Sequence, residues 1–297
     1  MGKLGRFIGL FAVAMVAIGA SAQNLPSPAY SGHGAYELFS FGTSHDSAVG
    51  WTSEMDSGLG YDFNKTFSME TGVPLYFVGA TTTQTQSGTT TSTTDHYNSI
   101  GDAYVGLNLH PKLQAFGFAT GLVGTAPTGN RTNGISTGRP TVNWNNRLEK
   151  DFGHLTPFAE ATLGNSLAST KRFRRPFTTL GAVSTFTGGT SIDLFKSVSI
   201  EASAYDVAPF GDQKIYSHNG KQVDPTKTRS FQKAAVTAGS ASIAKDHGFS
   251  GVLSFNPTQR VGVDFAYTRS IGFDLDSIGA TISFRLGHLA TPPAKKN

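Results

Sequence analysis

Ser277-Ile278-Gly279-Ala280-Thr281-Ile282-Ser283-Phe284-Arg285-Leu286 is a run in which the apolar residues fall on every second position. Ile278, Ala280, Ile282, Phe284 and Leu286 share one parity; Ser277, Gly279, Thr281, Ser283 and Arg285 share the other. Successive side chains of an extended chain point to opposite faces, so this alternation predicts a strand with one greasy and one polar side. The pattern recurs upstream. Val261, Val263, Phe265 and Tyr267 oppose Arg260, Gly262, Asp264 and Thr268. Val198, Ile200, Ala202 and Ala204 oppose Ser199, Glu201 and Ser203, while Ala103, Val105, Leu107 and Leu109 oppose Asp102, Tyr104, Gly106 and Asn108. Phe67, Met69, Val73, Leu75 and Phe77 oppose Glu70. Trp51, Met55, Leu59, Tyr61 and Phe63 oppose Glu54, Asp56 and Asp62; Trp144 and Leu148 oppose Arg147, Glu149 and Asp151.

The breaks between these runs come in two lengths that alternate along the chain. Short ones lie at Asn64-Lys65, Pro111-Lys112, Gly153-His154, Phe195-Lys196 and Asn256 to Gln259. Longer polar stretches occupy 83–98, 127–138, 169–176 and 209–247. Tight turns on one side and longer loops on the other, joining alternating segments of about ten residues, mark a transmembrane β-barrel. The expected fold is therefore all-β, a transmembrane antiparallel up-and-down barrel of about twelve strands, with ten or fourteen as alternatives. The predicted strands lie near 34–43, 48–63, 66–82, 99–110, 113–126, 139–152, 155–168, 177–193, 197–208, 248–256, 260–270 and 276–286. An even number returns both chain ends to the short-turn side. The Thr/Ser/Gln run 83–94 cannot bury a core and reads as a mobile outer loop.

Composition agrees with this reading. The 297 residues include 35 Gly, 13 Pro and 22 Phe, with 38% hydrophobic and only 15% charged residues. No cysteine is present, which excludes a disulfide scaffold, a thiol enzyme and a lipid-anchored lipoprotein. The net charge of +4 is dispersed, so no basic face for nucleic acid is offered. Lys3 and Arg6, the apolar run Phe7 to Ile18 and the small residues Ala20-Ser21-Ala22 have the order of a secretory signal peptide over 1–22. The expected organisation is then a periplasmic segment 23–33, a barrel 34–286 and a periplasmic tail 287–297.

A soluble sandwich would turn its apolar parity inward, whereas a membrane barrel turns it to lipid and keeps the polar parity around a wet lumen. The charges favour the barrel. Glu54, Asp56, Asp62, Glu70, Asp102, Glu149, Asp151, Glu160, Asp193, Glu201 and Asp264 all fall on the polar parity, joined by Arg147, Arg260 and Arg285. Apart from Asp62 and Asp151, these are the candidate pore-lining residues. An excess of fixed carboxylates in a pore favours cations. The structural alternative is that the carboxylates pair with Arg across a filled interior.

The chain resembles the outer-membrane barrels grouped as the meta-pathway phenol-degradation family. The segments that carry the likeness are Gly101-Asp102-Ala103-Tyr104-Val105-Gly106-Leu107, Pro127-Thr128-Gly129-Asn130, Asp246-His247-Gly248 and Tyr267-Thr268-Arg269-Ser270. The resemblance covers roughly residues 48–286. It implies an outer-membrane channel admitting small, often aromatic or hydrophobic, solutes, delivered to its membrane by the barrel-assembly machinery. One departure is that such barrels stop at an aromatic residue, whereas here Phe284 is followed by Arg285, Leu286 and the tail 287–297.

No enzymatic constellation emerges. The eight histidines (33, 45, 96, 110, 154, 218, 247 and 288) are single, with no metal-ligand spacing. Gly248-Phe249-Ser250-Gly251-Val252 lacks the final glycine of a nucleophile elbow. Gly124 to Gly129 has phosphate-loop glycine spacing, but Asn130-Arg131 replaces the required Lys-Ser/Thr. No cofactor is implied. Lys171, Arg172, Arg174 and Arg175 form the densest charge cluster, in an outer loop, where they could hold the phosphates of lipopolysaccharide. The long stretch 209–247 is the expected gate over the mouth. The leading expectation is a passive outer-membrane channel contacting membrane lipids and a small-molecule solute. The rivals are a structural or adhesive barrel with a closed lumen, and a membrane-embedded lipid hydrolase.

Overall fold

The computed structural model describes residues 33–46, 50–86, 89–111, 115–131, 135–167, 177–217 and 236–287. The signal-peptide segment 1–22 and the cluster Lys171, Arg172, Arg174 and Arg175 lie outside these residues, as does most of the tail 287–297.

Among the described residues sixteen strands appear in chain order. The first eight are β1 (Gly34–Asp46), β2 (Gly50–Asp62), β3 (Phe67–Gln86), β4 (Thr89–Ile100), β5 (Ala103–Leu109), β6 (Gly117–Ala126), β7 (Thr141–Glu149) and β8 (Leu155–Gly164). They are followed by β9 (Phe177–Leu180), β10 (Val183–Phe195), β11 (Val198–Pro209), β12 (Gln213–Ser217), β13 (Val236–Gly239), β14 (Asp246–Thr258), β15 (Val261–Ser270) and β16 (Leu275–Gly287). Among the described residues no helix is long and apolar enough to cross a membrane.

Thirteen of the strands form one closed antiparallel sheet with twelve wall positions. Its order is β1, β2, β3, the collinear pair β4/β5, β6, β7, β8, β10, β11, β14, β15 and β16, and β16 pairs with β1 to close the ring. The closing register runs from Tyr36↔Gly287 to Asp46↔Ser277. β4 and β5 count as one position because both pair with β3, Leu75–Gln86 with β4 and Phe67–Gly72 with β5. The interruption falls at Pro74, which has no N–H for the ladder; its carbonyl accepts from Gly101 N at 2.7 Å.

Burial shows which parity faces inward. On the apolar parity Trp51 is 54% exposed, Leu59 64%, Phe265 53% and Ile278 52%. On the polar parity Asp62 is 0% exposed, Glu70 2%, Asp264 2% and Arg285 4%. Greasy side chains point out and charged ones in, which is stable only where hydrocarbon surrounds the wall. The protein is a transmembrane β-barrel. Aromatic residues ring its short-turn rim: Tyr61 and Phe63 pack at 5.0 Å, Phe63 and Phe67 at 5.1 Å, and Lys150 Nζ lies 5.1 Å from the rings of both Phe116 and Phe152. Such girdles sit where tails give way to headgroups.

Three expectations are corrected. Residues 83–94 are not a loop: β3 runs on to Gln86 and pairs with β4 from Gln86↔Thr89 back to Leu75↔Ile100. The predicted strand 177–193 is two strands, β9 and β10, parted at Gly181-Ala182. The stretch 209–247 holds β12 and β13, which join β9 in a separate three-stranded sheet at the long-loop end, and a 3-10 turn at Ala241–Ala244.

Candidate functional site

The inward face of the barrel is organised around two arginines. Arg147, on β7, donates from Nε to Glu149 at 2.8 Å and from Nη1 to Glu160 on β8 at 3.0 Å. Its Nη2 stands 3.9 Å from Glu201 on β11, although β8 and β10 lie between these strands. The guanidinium is also stacked 3.9 Å from the centroid of Phe158. Arg285, on β16, donates to Asp62 on β2 at 2.8 Å and lies 3.7 Å from the centroid of Tyr36 on β1. β7 is the sixth wall position and β16 the twelfth, so the two assemblies occupy opposite sides of the ring. Both lie towards the short-turn end: Arg147 is two residues from the end of β7, and Arg285 N donates to Arg260 O in the β14–β15 turn at 2.9 Å.

Two other inward carboxylates, Asp56 and Asp264, are held by hydroxyls. Tyr104 Oη donates to Asp56 at 3.0 Å and Ser254 Oγ to Asp264 at 2.5 Å. Glu70 lies over Gly106, and Glu54 faces inward on the same parity of β2 as Asp56 and Asp62. Three predicted residues are at the rims rather than along the wall. Asp102 falls in the break between β4 and β5, where its Oδ1 accepts from Gly129 N at 2.9 Å. Asp193 is exposed near the end of β10, and Arg260 is exposed in the turn Gln259-Arg260.

Two features of the interior are absent from the pattern of alternation. Asp246, at the start of β14, accepts from Tyr205 Oη (3.1 Å), Ser270 Oγ (2.7 Å) and Gly272 N (3.1 Å), tying β14 to β11, to the end of β15 and to the β15–β16 turn at the long-loop end. Tyr36, Tyr104, Phe158 and Tyr205 are aromatic residues on the polar parity, and all are buried. Each ring lies over a glycine of a nearby strand: Tyr36 over Gly60, Tyr104 over Gly72, Phe158 over Gly189 and Tyr205 over Gly248. The signal was in those glycines, since a Cβ at any of them would collide with the ring.

His110 immediately follows β5 at the short-turn end. Burial pushes its imidazole down from 6.5 to about 4, and the nearby Glu149 carboxylate partly opposes the shift. No group of three or more His, Cys, Asp or Glu able to hold a metal occurs among the described residues. Ser53 and His45 share the outward face, but Ser53 Oγ donates to Thr43 Oγ1 at 3.1 Å and the His45 ring packs edge-on to Trp51 at 5.1 Å.

No family model matches the chain, and no curated protein does. The resemblance to the meta-pathway phenol-degradation barrels therefore has no matching family model behind it. Among solved structures, an outer membrane channel from Pseudomonas putida F1 is similar with a TM-score of 0.49 and 10% identity, over 88% of this chain and 99% of that one. The NanC porin is similar with a TM-score of 0.44 and 11% identity, over 84% and 100%. The Pseudomonas putida toluene transporter TodX gives 0.38 and 9%, over 92% and 97%.

Proposed function

We propose that the barrel is an outer-membrane channel through which small solutes pass down their gradient, cations more readily than anions. The carrying observation is the charge of the inward wall. Glu54, Asp56, Asp62, Glu70, Glu149, Glu160, Glu201 and Asp264 occupy inward strand positions, where Arg147 and Arg285 are the cations among the described residues. Fixed negative charge in a narrow path lowers the barrier for a cation and raises it for an anion. The short-turn aromatic rim and the apolar outer belt support insertion in a bilayer. The family resemblance extends the solute range to small aromatic and hydrophobic molecules.

Planar-bilayer recording of the purified chain tests this reading. A salt gradient should give a reversal potential on the cation side, and phenol uptake into proteoliposomes tests the aromatic range. A correctly folded barrel that carries no current would remove the channel.

The second reading, an adhesive barrel with a closed lumen, draws on the β3–β4 extension and the sheet β9–β12–β13, which stand at the long-loop end. Deleting 213–239 should change attachment if that reading holds, and flux if the segment gates a channel.

A further inference from the structure

At the long-loop end is a cleft of about 850 Å³ whose lining includes Arg139, Pro140, Leu180, Asp212 and Lys214. That volume is ordinary for a small-molecule site. Its charges stand on fixed backbone. Gly211, at φ 65°, turns β11 into β12. The turn is fastened from within: Phe210 N donates to Ala182 O at 2.8 Å, and Gln213 Nε2 donates to Ala182 O and Phe210 O, both at 2.9 Å. Gln213 is fully buried, so Asp212 and Lys214, its neighbours on extended chain, share the opposite, exposed face. Arg139 comes from the loop between β6 and β7. There Thr137 Oγ1 accepts from Arg139 N at 3.3 Å and donates to Arg139 O at 3.0 Å.

Three charged side chains therefore line one concavity, and no ion pair joins Asp212 to Arg139 or to Lys214. Charges of both signs held apart restrict what can bind. A simple anion meets the opposition of Asp212, and a simple cation that of Arg139 and Lys214. A molecule carrying both signs, spaced to match, meets neither. The lining holds two positive charges against one negative, so its complement carries two negative charges and one positive. Arg139 offers a fork to one carboxylate and Lys214 a point charge to another, while Asp212 accepts from an ammonium. Pro140 and Leu180 supply apolar surface for the carbon skeleton.

We propose that this cleft is a binding site for an acidic zwitterion, an aminodicarboxylate whose ammonium meets Asp212 and whose two carboxylates meet Arg139 and Lys214. Each contact is exposed and weak alone. The three act together because the backbone beneath them is set before the ligand arrives. The site stands whether or not the lumen conducts, so failure of the channel reading and failure of this one are separate results.

Titration calorimetry on the full chain in detergent tests it, at low ionic strength, where exposed charges are least screened, with glutamate, glutarate and glutamine as probes. Glutamate should bind at least about tenfold more tightly than glutarate, which lacks the ammonium, or glutamine, which lacks the second carboxylate. Asp212→Asn should erase the preference for glutamate over glutarate, a change that mere loosening of the turn would not produce. The double variant Arg139→Gln/Lys214→Gln should lose at least about tenfold in glutamate affinity. All three side chains are exposed, so these variants should retain the parent's compact gel band. No glutamate binding, equal affinity for glutarate or glutamine, a preference that survives Asp212→Asn, or glutamate binding unaffected by the double variant overturns the proposal.

Discussion

Arg285 Nη2 donates to Asp62 Oδ2 at 2.8 Å across the intervening strand β1, joining residues 223 positions apart in the chain. Both side chains are almost wholly withdrawn from solvent, and the Tyr36 ring covers the guanidinium. Removing one member of such a pair strands a buried charge. Asp62→Ala should therefore cost about 3–5 kcal/mol, seen as a lower urea midpoint for loss of the compact gel band. The double variant Asp62→Leu/Arg285→Leu should recover most of that loss, because neither charge is then left behind.

Arg147 is the positive charge among Glu149, Glu160 and Glu201. Arg147→Gln should leave three carboxylates without it and move the reversal potential further towards the cation limit. Glu201→Gln should move it the other way by less, since its contact is the longest of the three at 3.9 Å. Unchanged selectivity in both variants would mean that ions do not pass this part of the wall.

Phe265 projects from the middle of β15 and is 53% exposed, so it faces the tails. Phe265→Arg should destabilise the inserted barrel by about 2–4 kcal/mol in lipid-vesicle unfolding. Thr187→Arg, on the inward parity of β10, should cost less and alter conductance instead. The reverse ranking would turn the wall inside out.

His110 supplies a pH dependence with a definite sign. Its folded pKa of about 4 lies below the ordinary 6.5, so between these values the unfolded chain binds a proton that the folded chain excludes. Stability should fall as pH drops through that window, by on the order of 1–3 kcal/mol, and be insensitive to this group above it. His110→Gln should flatten the curve between pH 6.5 and 4 when midpoints are compared with the parent.

The wall was legible because its two environments are chemically opposite and period two exposes the contrast. Ser277 to Leu286 shows in ten residues what burial shows in β16. The Thr-rich stretch 83–94 was not legible. Alternation requires two kinds of residue, and a run of Thr and Ser has one, although β-branched Thr favours extended chain wherever a partner is supplied. Here the returning strand β4 supplies that partner, from Gln86↔Thr89 onward. Asp246 was missed because the Lys245-Asp246-His247 sequence resembles a loop, and its hydroxyl donors Tyr205 and Ser270 come from other strands. Arg260 and Asp193 read as wall residues because parity carries no information about where a strand stops.

The pairing of the final strand with the first has a consequence for biogenesis. A nascent chain cut short by one segment is not a smaller version of the finished ring; it is an open ribbon with two raw hydrogen-bonding margins, and neither can be left bare in hydrocarbon. The segment that becomes β16 therefore determines whether any of the strands before it can reside in the bilayer.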